Sequence, residues 1–555
     1  SAGGNLMTQR SYSMSAGGYP LVLPALYTLS NVERGGLSYS SNITRKNIYS
    51  LYGIVSLGYS SMIFVDFTAR NDWSSTLPAH NRSYFYPSSS VSILLNEMLP
   101  VPSWVSLLKL RSGISQVGKD TNPYAIATVL SRGTWGDNTT YSVPGSLPNV
   151  NLKPEIAKAY EVGTDISLFN NRLSGDFTYY VAQNTNQILS AATSRTSGYS
   201  GALINAGNIE NSGIEIGLNV VPVKTKDWLW DIHANFTREK SILKELTEGI
   251  DTFEFWESTH VVSMTKLGGR IGDIYTRDIL RVQDENSPYY GWPLLDKNGK
   301  IQRNNDNSAR LKVGNANHDF MVGLQTSLSY KRISISLSFD WRQGGKYYDQ
   351  TMMRLARAGK VEYFQDNPYS STFTGILNNN SFNGDNNALA NEIKSHPEIY
   401  RAHNVWVGGR AKDLGGFLYN GVYEGAFIPG VISDGKGGYI ENFGAEGTKY
   451  IKAYDVFQPS GGYWSAGAGD KWIYDASFAK LREVVVSYEL PDFLAHKLFA
   501  QSISISGYLR NVLLYSGSKT NMDPESIYNA GRQGRSTWNA SPVVMPVGFK
   551  INATF

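Results

Sequence analysis

Residues 333–342 read ISISLSFDWR and alternate between apolar and polar side chains at every position. The apolar row is Ile333, Ile335, Leu337, Phe339 and Trp341, and the polar row is Ser334, Ser336, Ser338, Asp340 and Arg342. Successive side chains of a β-strand point to opposite faces, so this pattern predicts a strand with one apolar face and one polar face.

The same period of two recurs along the whole chain, for example in residues 63–70, 173–181, 214–220, 228–236 and 502–510. The segments are about 8–11 residues long, which is the length a tilted strand needs to cross a bilayer. Aromatic residues such as Tyr49, Tyr59 and Trp341 stand at segment ends, where an interfacial girdle is expected. The pattern therefore favours a transmembrane antiparallel β-barrel.

The C-terminal segment VGFKINATF (547–555) carries the strongest local signal. Its apolar row ends on the aromatic Phe555, which predicts a last barrel strand that serves as the barrel assembly signal. Taken alone, the segment also fits an ordinary amphipathic edge strand.

Composition supports an all-β membrane protein and excludes several other classes. The 555 residues include 35 Tyr, 12 Trp, 22 Phe and 54 Gly but no Cys, which excludes disulfides and thiolate chemistry. A net charge of +4 gives no reason to expect nucleic-acid binding. The mean hydropathy is −0.29, and transmembrane barrels average such values because their polar rows dilute the apolar ones.

Connections between the predicted strands are of two kinds. Some are short, such as residues 169–172 and 330–332, and others are long, with residues 343–470 the longest loop-rich region. Short turns at one end and long loops at the other are typical of outer-membrane barrels. A soluble β-rich protein remains the alternative, but uninterrupted apolar rows opposite charged rows fit lipid on one side and water on the other.

Several motifs resemble those of the SusC/RagA family of TonB-linked outer-membrane proteins. They are RNDWSS (70–75), YPSSS (86–90), LKLRSG (108–113), NLKPE (151–155), NAGNIENSGIE (205–215), DASFAKLRE (475–483) and DPE (523–525). The two most specific are those at 205–215 and 475–483. The order and spacing of all these motifs match the family from about Tyr49 to Phe555, which is nearly the whole chain.

The resemblance implies TonB-dependent import of bulky nutrients, either oligosaccharides or oligopeptides, at the outer membrane of a Gram-negative bacterium. It also implies a SusD-like surface lipoprotein as partner and a TonB complex that acts through a plug domain. Neither a plug nor a signal peptide is visible in the sequence. We therefore expect residues 1–555 to be the C-terminal part of a barrel of about 22 strands, with the N-terminal part on missing sequence or on a separate chain.

Two sets of residues are candidates for function. The polar rows predict a water-facing lumen wall, although these side chains could equally hydrate the wall or brace a plug. They are Asp66, Arg70, Glu215, Asn219, His233, Asp340, Arg342 and Arg510. The loop aromatics Trp406, Tyr419, Tyr423 and Trp464 could stack on sugar rings or contact the lipoprotein.

No catalytic, cofactor or metal pattern stands out. The sequence DKNGK (296–300) matches an acidic, cation-related stretch of the family, but Lys300 replaces an acidic residue there. A turn built on Asn298 and Gly299 is therefore the better interpretation. Three functions remain: TonB-linked import, a passive porin-type barrel, and a soluble β-rich glycan-binding protein.

Overall fold

A computed structural model describes most of the chain. The described residues are 1–135, 138–192, 195–247, 250–257, 260–277, 279–304, 310–357, 424–426, 428, 430–442, 449, 451–452, 469–518, 520, 523–525 and 544–555. They fall into two compact units, Ser1–Asp251 and Thr252–Phe555.

Fourteen long strands dominate the described part of the chain. In the first unit they are β1 (Ala2–Gly18), β2 (Leu37–Tyr59), β3 (Ile63–Ser74), β4 (Ser83–Leu94), β5 (Val105–Lys119), β6 (Glu155–Leu168), β7 (Leu173–Thr185), β8 (Asn208–Lys224) and β9 (Trp228–Glu245). In the second unit they are β10 (Phe320–Tyr330), β11 (Ile333–Gln343), β12 (Phe478–Glu489), β13 (Ser502–Ser516) and β14 (Val547–Thr554).

Within each unit, every long strand pairs antiparallel with the next one in the sequence. This up-and-down order is the simplest way for strands joined by consecutive connections to satisfy their backbone hydrogen bonds. The predicted all-β antiparallel class is confirmed.

Register confirms the two rows that the sequence predicts. On β11, Phe339 lies opposite Leu324 of β10 and Leu481 of β12. One residue pair away, Ser338 lies opposite Gln325 and Glu483, on the other face. Cross-strand partners share a face, so apolar side chains collect on one side of the sheet and polar ones on the other.

The apolar face is exposed rather than packed in a core. Ile335, Leu337 and Trp341 remain 40%, 37% and 38% exposed. The buried clusters lie instead at strand ends and in the connections: Leu77, Tyr84 and Leu152 in the first unit, and Val262, Met264 and Tyr275 in the second. An extended apolar surface of this kind needs an apolar medium to cover it.

The strands are longer than expected. Instead of about 8–11 residues, β2 has 23, and Tyr49 lies in its middle rather than at its end. The physical reason is that backbone groups stay paired within a hairpin, so its ladder can continue past the segment in which apolar and polar residues alternate.

Connections at the two ends of the strands alternate along the chain, and their lengths follow the prediction except that 95–104, with ten residues, is longer than 75–82, with eight. In the first unit, residues 60–62, 95–104, 169–172 and 225–227 join strands at one end, and 19–36, 75–82, 120–154 and 186–207 at the other. Phe169, Asn170 and Asn171 all adopt positive φ, between 55° and 62°, which allows the reversal within residues 169–172. In the second unit, 331–332 and 490–501 are the short connections.

The connections carry small elements of their own. Among the described residues, the helices are α1 (Leu95–Met98), α2 (Gln350–Arg357) and α3 (Asp492–Lys497), with short 3₁₀ turns at Leu29–Asn31, Arg195–Ser197 and Gly469–Trp472. Short strands occur at Ser131–Trp135, Asn138–Ser142, Ser146–Leu147, Ile188–Ala192, Gly201–Asn205, Thr252–Glu257, Val261–Lys266, Asp273–Arg277, Leu294–Leu295, Arg310–Asn315, Lys346–Tyr348, Glu424–Ala426, Val431–Ser433, Tyr439–Glu441, Ile451–Lys452 and Ile473–Asp475. In the described part of the chain, no helix is long and apolar enough to span a membrane.

Candidate functional site

The polar face of the first unit begins with a cluster around Asp72. Arg70 donates a hydrogen bond from Nε to Asp72 Oδ1 at 2.7 Å, and its Nη2 contacts Ser50 Oγ at 2.9 Å. The Tyr86 hydroxyl donates to Asp72 Oδ2 at 2.6 Å. These contacts form because β3 places Arg70 and Asp72 on one face, while register sets Tyr86 opposite Arg70 and Ser50 opposite Asp72.

A second cluster lies on β5, β6 and β7. The carboxylate of Asp165 forms ion pairs with Lys109 Nζ at 3.0 Å and Arg111 Nε at 3.3 Å. Arg111 also donates a hydrogen bond to the Thr178 hydroxyl. Two cations therefore share the Asp165 carboxylate. A cavity of about 250 Å³ opens beside it, and its lining includes Lys109, Arg111 and Glu161. This volume has room for small polar groups.

A third cluster lies in the second unit. The Lys480 side chain is 1% exposed and pairs with Asp523 and, at 2.7 Å, with Glu525. Arg482 contacts Asp340 at 2.7 Å and reaches both oxygens of Glu525 at 2.6 Å. The cluster fastens residues 523–525 to strands β11 and β12.

Electrostatics of the third cluster are set by this pairing. Burial of Glu525 favours its neutral form, but hydrogen bonds from Arg482 and Lys480 outweigh burial and lower its pKa to about 2. The pKa of Asp475 is lowered as well: burial opposes ionisation, but hydrogen bonds from Ser477 and Lys346 outweigh burial. Both carboxylates are therefore charged at neutral pH, with partners in place.

The predicted wall residues occupy the polar rows, and most of them contact other wall residues. Asp66 and Glu215 are exposed on that face. Asn219 hydrogen-bonds to His233. The Arg342 guanidinium lies 5.3 Å from the centroid of the Phe478 ring. Arg510 contacts Glu483 at 2.6 Å, and its guanidinium lies 4.7 Å from the centroid of the Tyr508 ring.

The sequence reasoning missed the central members of the clusters. Asp72, Arg111, Lys480 and Glu525 were not singled out as wall residues, although all four lie within the motifs RNDWSS, LKLRSG, DASFAKLRE and DPE. The sequence did carry a signal for them: each of the four lies two positions from another charged residue, which places both on the same face of an extended chain. The predicted loop aromatics Trp406, Tyr419, Tyr423 and Trp464 lie outside the described residues.

The motifs in the connections also meet one another. Asn205 of NAGNIENSGIE accepts a hydrogen bond from Lys153 N and donates to Lys153 O, each at 2.8 Å. Glu155 of NLKPE accepts from Ile188 N at 2.9 Å. Motifs that are distant in sequence therefore mark contacts that hold the long connections together.

At residues 296–300 the structure shows the turn. Gly299 has φ of +78°, and the Asp296 carboxylate accepts the backbone N–H groups of Asn298 and Lys300, both at 2.8 Å. The acid therefore serves the turn itself, as Asp commonly does. Among the described residues, no three acidic or histidine side chains group in metal-binding geometry.

An exposed apolar face opposite a charged, hydrogen-bonded face defines the wall of an outer-membrane-type barrel. The chain matches known proteins of that class. Residues 3–272 match the family described as TonB dependent receptor-like, beta-barrel. The chain is 25% identical over 426 residues to TonB-dependent receptor SusC of Bacteroides thetaiotaomicron, a match that covers 71% of this chain and 41% of SusC.

It is also 27% identical over 351 residues to TonB-dependent receptor P3 of Formosa agariphila, covering 59% of this chain and 35% of that receptor. The solved structure of the RagAB peptide transporter matches with a TM-score of 0.66 at 17% identity, over 100% of this chain and 53% of the matched chain. The resemblance to SusC/RagA-type TonB-dependent transporters is thereby confirmed, as is the barrel fold. The matched region spans well under half the length of these curated relatives.

Proposed function

We propose that this chain supplies barrel wall to a TonB-dependent transporter that imports bulky nutrients across the outer membrane. The observation that carries the proposal is the two-faced sheet. In the second unit, Ile335, Leu337 and Trp341 stand exposed on one face, where lipid would cover them, and the charged pair of Asp340 and Arg482 lies on the other, where water would solvate it. The proposed location is the outer membrane of a Gram-negative bacterium.

The partners follow from the relatives and not from any contact seen here. SusC and RagA-type proteins support a SusD-like surface lipoprotein as a partner. The TonB complex would act through a plug domain. The substrate is an oligosaccharide or an oligopeptide, and the polar clusters are the proposed lumen wall. Phe555, 77% exposed directly after β14, is the proposed assembly signal.

The first test is purification of the protein from native membranes in mild detergent, with mass spectrometry of everything bound. We expect a SusD-like lipoprotein together with peptides from a plug. Recovery of the protein alone and soluble without detergent would instead support a β-rich glycan-binding protein.

The second test separates active import from passive diffusion. Uptake of labelled oligopeptides and of labelled oligosaccharides by cells is measured with and without an uncoupler that collapses the proton-motive force. TonB-linked import stops when the uncoupler is added and is lost on deletion of the gene. Uptake that continues at the same rate would support the porin-type alternative.

A further inference from the structure

The β1–β2 hairpin continues past the end of its apolar band. On the outward face, the unbroken part of the band ends at Leu6 and Tyr49, which lie opposite each other, and single apolar residues such as Ile43 and Met14 recur further along. Thr8 and Asn47 form the next pair, followed by Arg10 opposite Arg45. This is the end of the hairpin that carries the long connection 19–36, and the long loops of outer-membrane barrels lie on the extracellular side.

Two arginines directly opposite each other on neighbouring strands are unusual. Their Cβ atoms are expected to be about 4.5–5.5 Å apart, a distance at which like charges destabilise the pair. Both side chains are exposed, and neither forms an ion pair with a residue that the structure describes. By contrast Lys46, on the inward face, is neutralised by Asp120 at 2.7 Å.

The position of the pair indicates which anion would neutralise it. Just beyond an apolar band with an aromatic rim, an outward-facing side chain meets the headgroups of the membrane. The guanidinium fork matches phosphate oxygens, and two such forks suit one phosphate. Tyr12 is 61% exposed and belongs to the residue pair that follows Arg10 and Arg45 on the same face. Its ring is placed to stack on a sugar.

We propose that Arg10 and Arg45 bind the phosphate of a phosphorylated glycolipid in the outer leaflet, with the Tyr12 ring against its sugar. The inference rests on the proposed membrane placement of the chain. Bound phosphate replaces repulsion between the two arginines by two charge-assisted contacts, so the lipid stabilises the hairpin.

The test measures lipid binding by the full protein purified in mild detergent. The protein is titrated with three probes, and native mass spectrometry measures their binding. The probes are a phosphorylated glycolipid, the same glycolipid after phosphatase treatment, and inorganic phosphate. We expect tight binding of the first probe and weak binding of the others. Arg10→Gln and Arg45→Gln should each reduce affinity about tenfold, the typical effect of one lost charged hydrogen bond. Arg34→Gln, an exposed arginine of the connection, should bind as the unmodified protein does.

A charge reversal distinguishes binding from folding. Arg10→Glu places a carboxylate opposite Arg45, so it should abolish glycolipid binding while raising the thermal stability of the lipid-free protein. Equal binding of the two glycolipids, or equal binding of inorganic phosphate, would overturn the lipid assignment. So would capture of an acidic protein by the arginine pair in place of lipid. Failure of the membrane placement would show separately, as a protein that stays soluble without detergent.

Discussion

Arg482 donates two hydrogen bonds, each 2.6 Å long, to the two carboxylate oxygens of Glu525. The pair joins strand β12 to the segment that follows β13, and Lys480 reinforces it from a fully buried position. Bidentate pairs of this kind fix geometry as well as adding energy. The start of the connection between β13 and β14 is therefore held against the polar face.

Glu525→Gln removes this anchor and leaves Asp523 as the one ion-pair partner of buried Lys480 among the described residues. We expect a loss of about 1–3 kcal/mol in unfolding free energy, since charged hydrogen bonds are lost in a partly buried site. Denaturant unfolding in detergent measures it. Glu483→Gln, which breaks the more exposed pair with Arg510, serves as the control and should cost about 1 kcal/mol or less. Equal costs for both variants would contradict the anchor.

Acid should release the same segment. The pKa of Glu525 is lowered from an ordinary value of 4.5 to about 2, so its stabilising contribution is present above pH 4.5 and is lost as the pH falls from about 4.5 to 2. Hydrogen–deuterium exchange at residues 523–525 should rise over that window. In Glu525→Gln, exchange there should already be high and should change less over the same range.

Phe339→Asp should block membrane assembly. The side chain lies in the apolar row between Leu324 and Leu481, where a carboxylate would face lipid at a cost that reaches a few kcal/mol at mid-bilayer. Heat-modifiable gel migration reports assembly. Ser336→Asp, on the opposite face of the same strand, is the control and should assemble. Normal assembly of Phe339→Asp would reverse our assignment of the two faces.

Arg342→Glu should assemble normally and should alter uptake rather than folding, because Arg342 lies on the polar face. Its guanidinium packs near the Phe478 ring, and the loss of that contact should cost about 1 kcal/mol. Membrane-fraction immunoblots measure assembly, and labelled-substrate uptake measures function. Failure to assemble would show that Arg342 is needed for folding of the wall.

Gly213→Val should disturb the wall sterically. A Cβ atom at Gly213 would lie 2.5 Å from the Tyr180 hydroxyl oxygen, because that ring covers the glycine from the neighbouring strand. We expect a loss of about 1–3 kcal/mol, typical of overpacking. Gly507→Ala, where no atom lies within 4 Å of the new Cβ, is the control and should be tolerated. A double variant with Tyr180→Ala should recover part of the loss.

Much of the fold could be predicted because alternation reports directly which side of a strand a residue occupies. Residues 333–342 appear in the structure as β11 with the two expected faces. Strand ends could not be predicted in the same way. Beyond the apolar band, β2 carries polar residues on both faces, so the pattern fades at Asn47 although pairing with β1 continues to Leu37.

The candidate wall was harder to predict than the strands. Asp340 and Arg342 could be placed on the polar face, since facing follows from position alone. The partner of Asp340 could not be, because Arg482 sits at an irregularity in the β11–β12 register, and Glu525, which pairs with Arg482, comes from a connection. Which charges neutralise one another depends on such local geometry, and alternation carries no information about it.

The alternating connections have a consequence for how such a chain can diverge. Strand register is maintained by backbone hydrogen bonds within the hairpins, whereas the long connections of the first unit all leave from one end. Insertions and deletions there leave every ladder in place. Natural variation can therefore rebuild the surface formed by these connections in steps, while the strand framework is inherited unchanged.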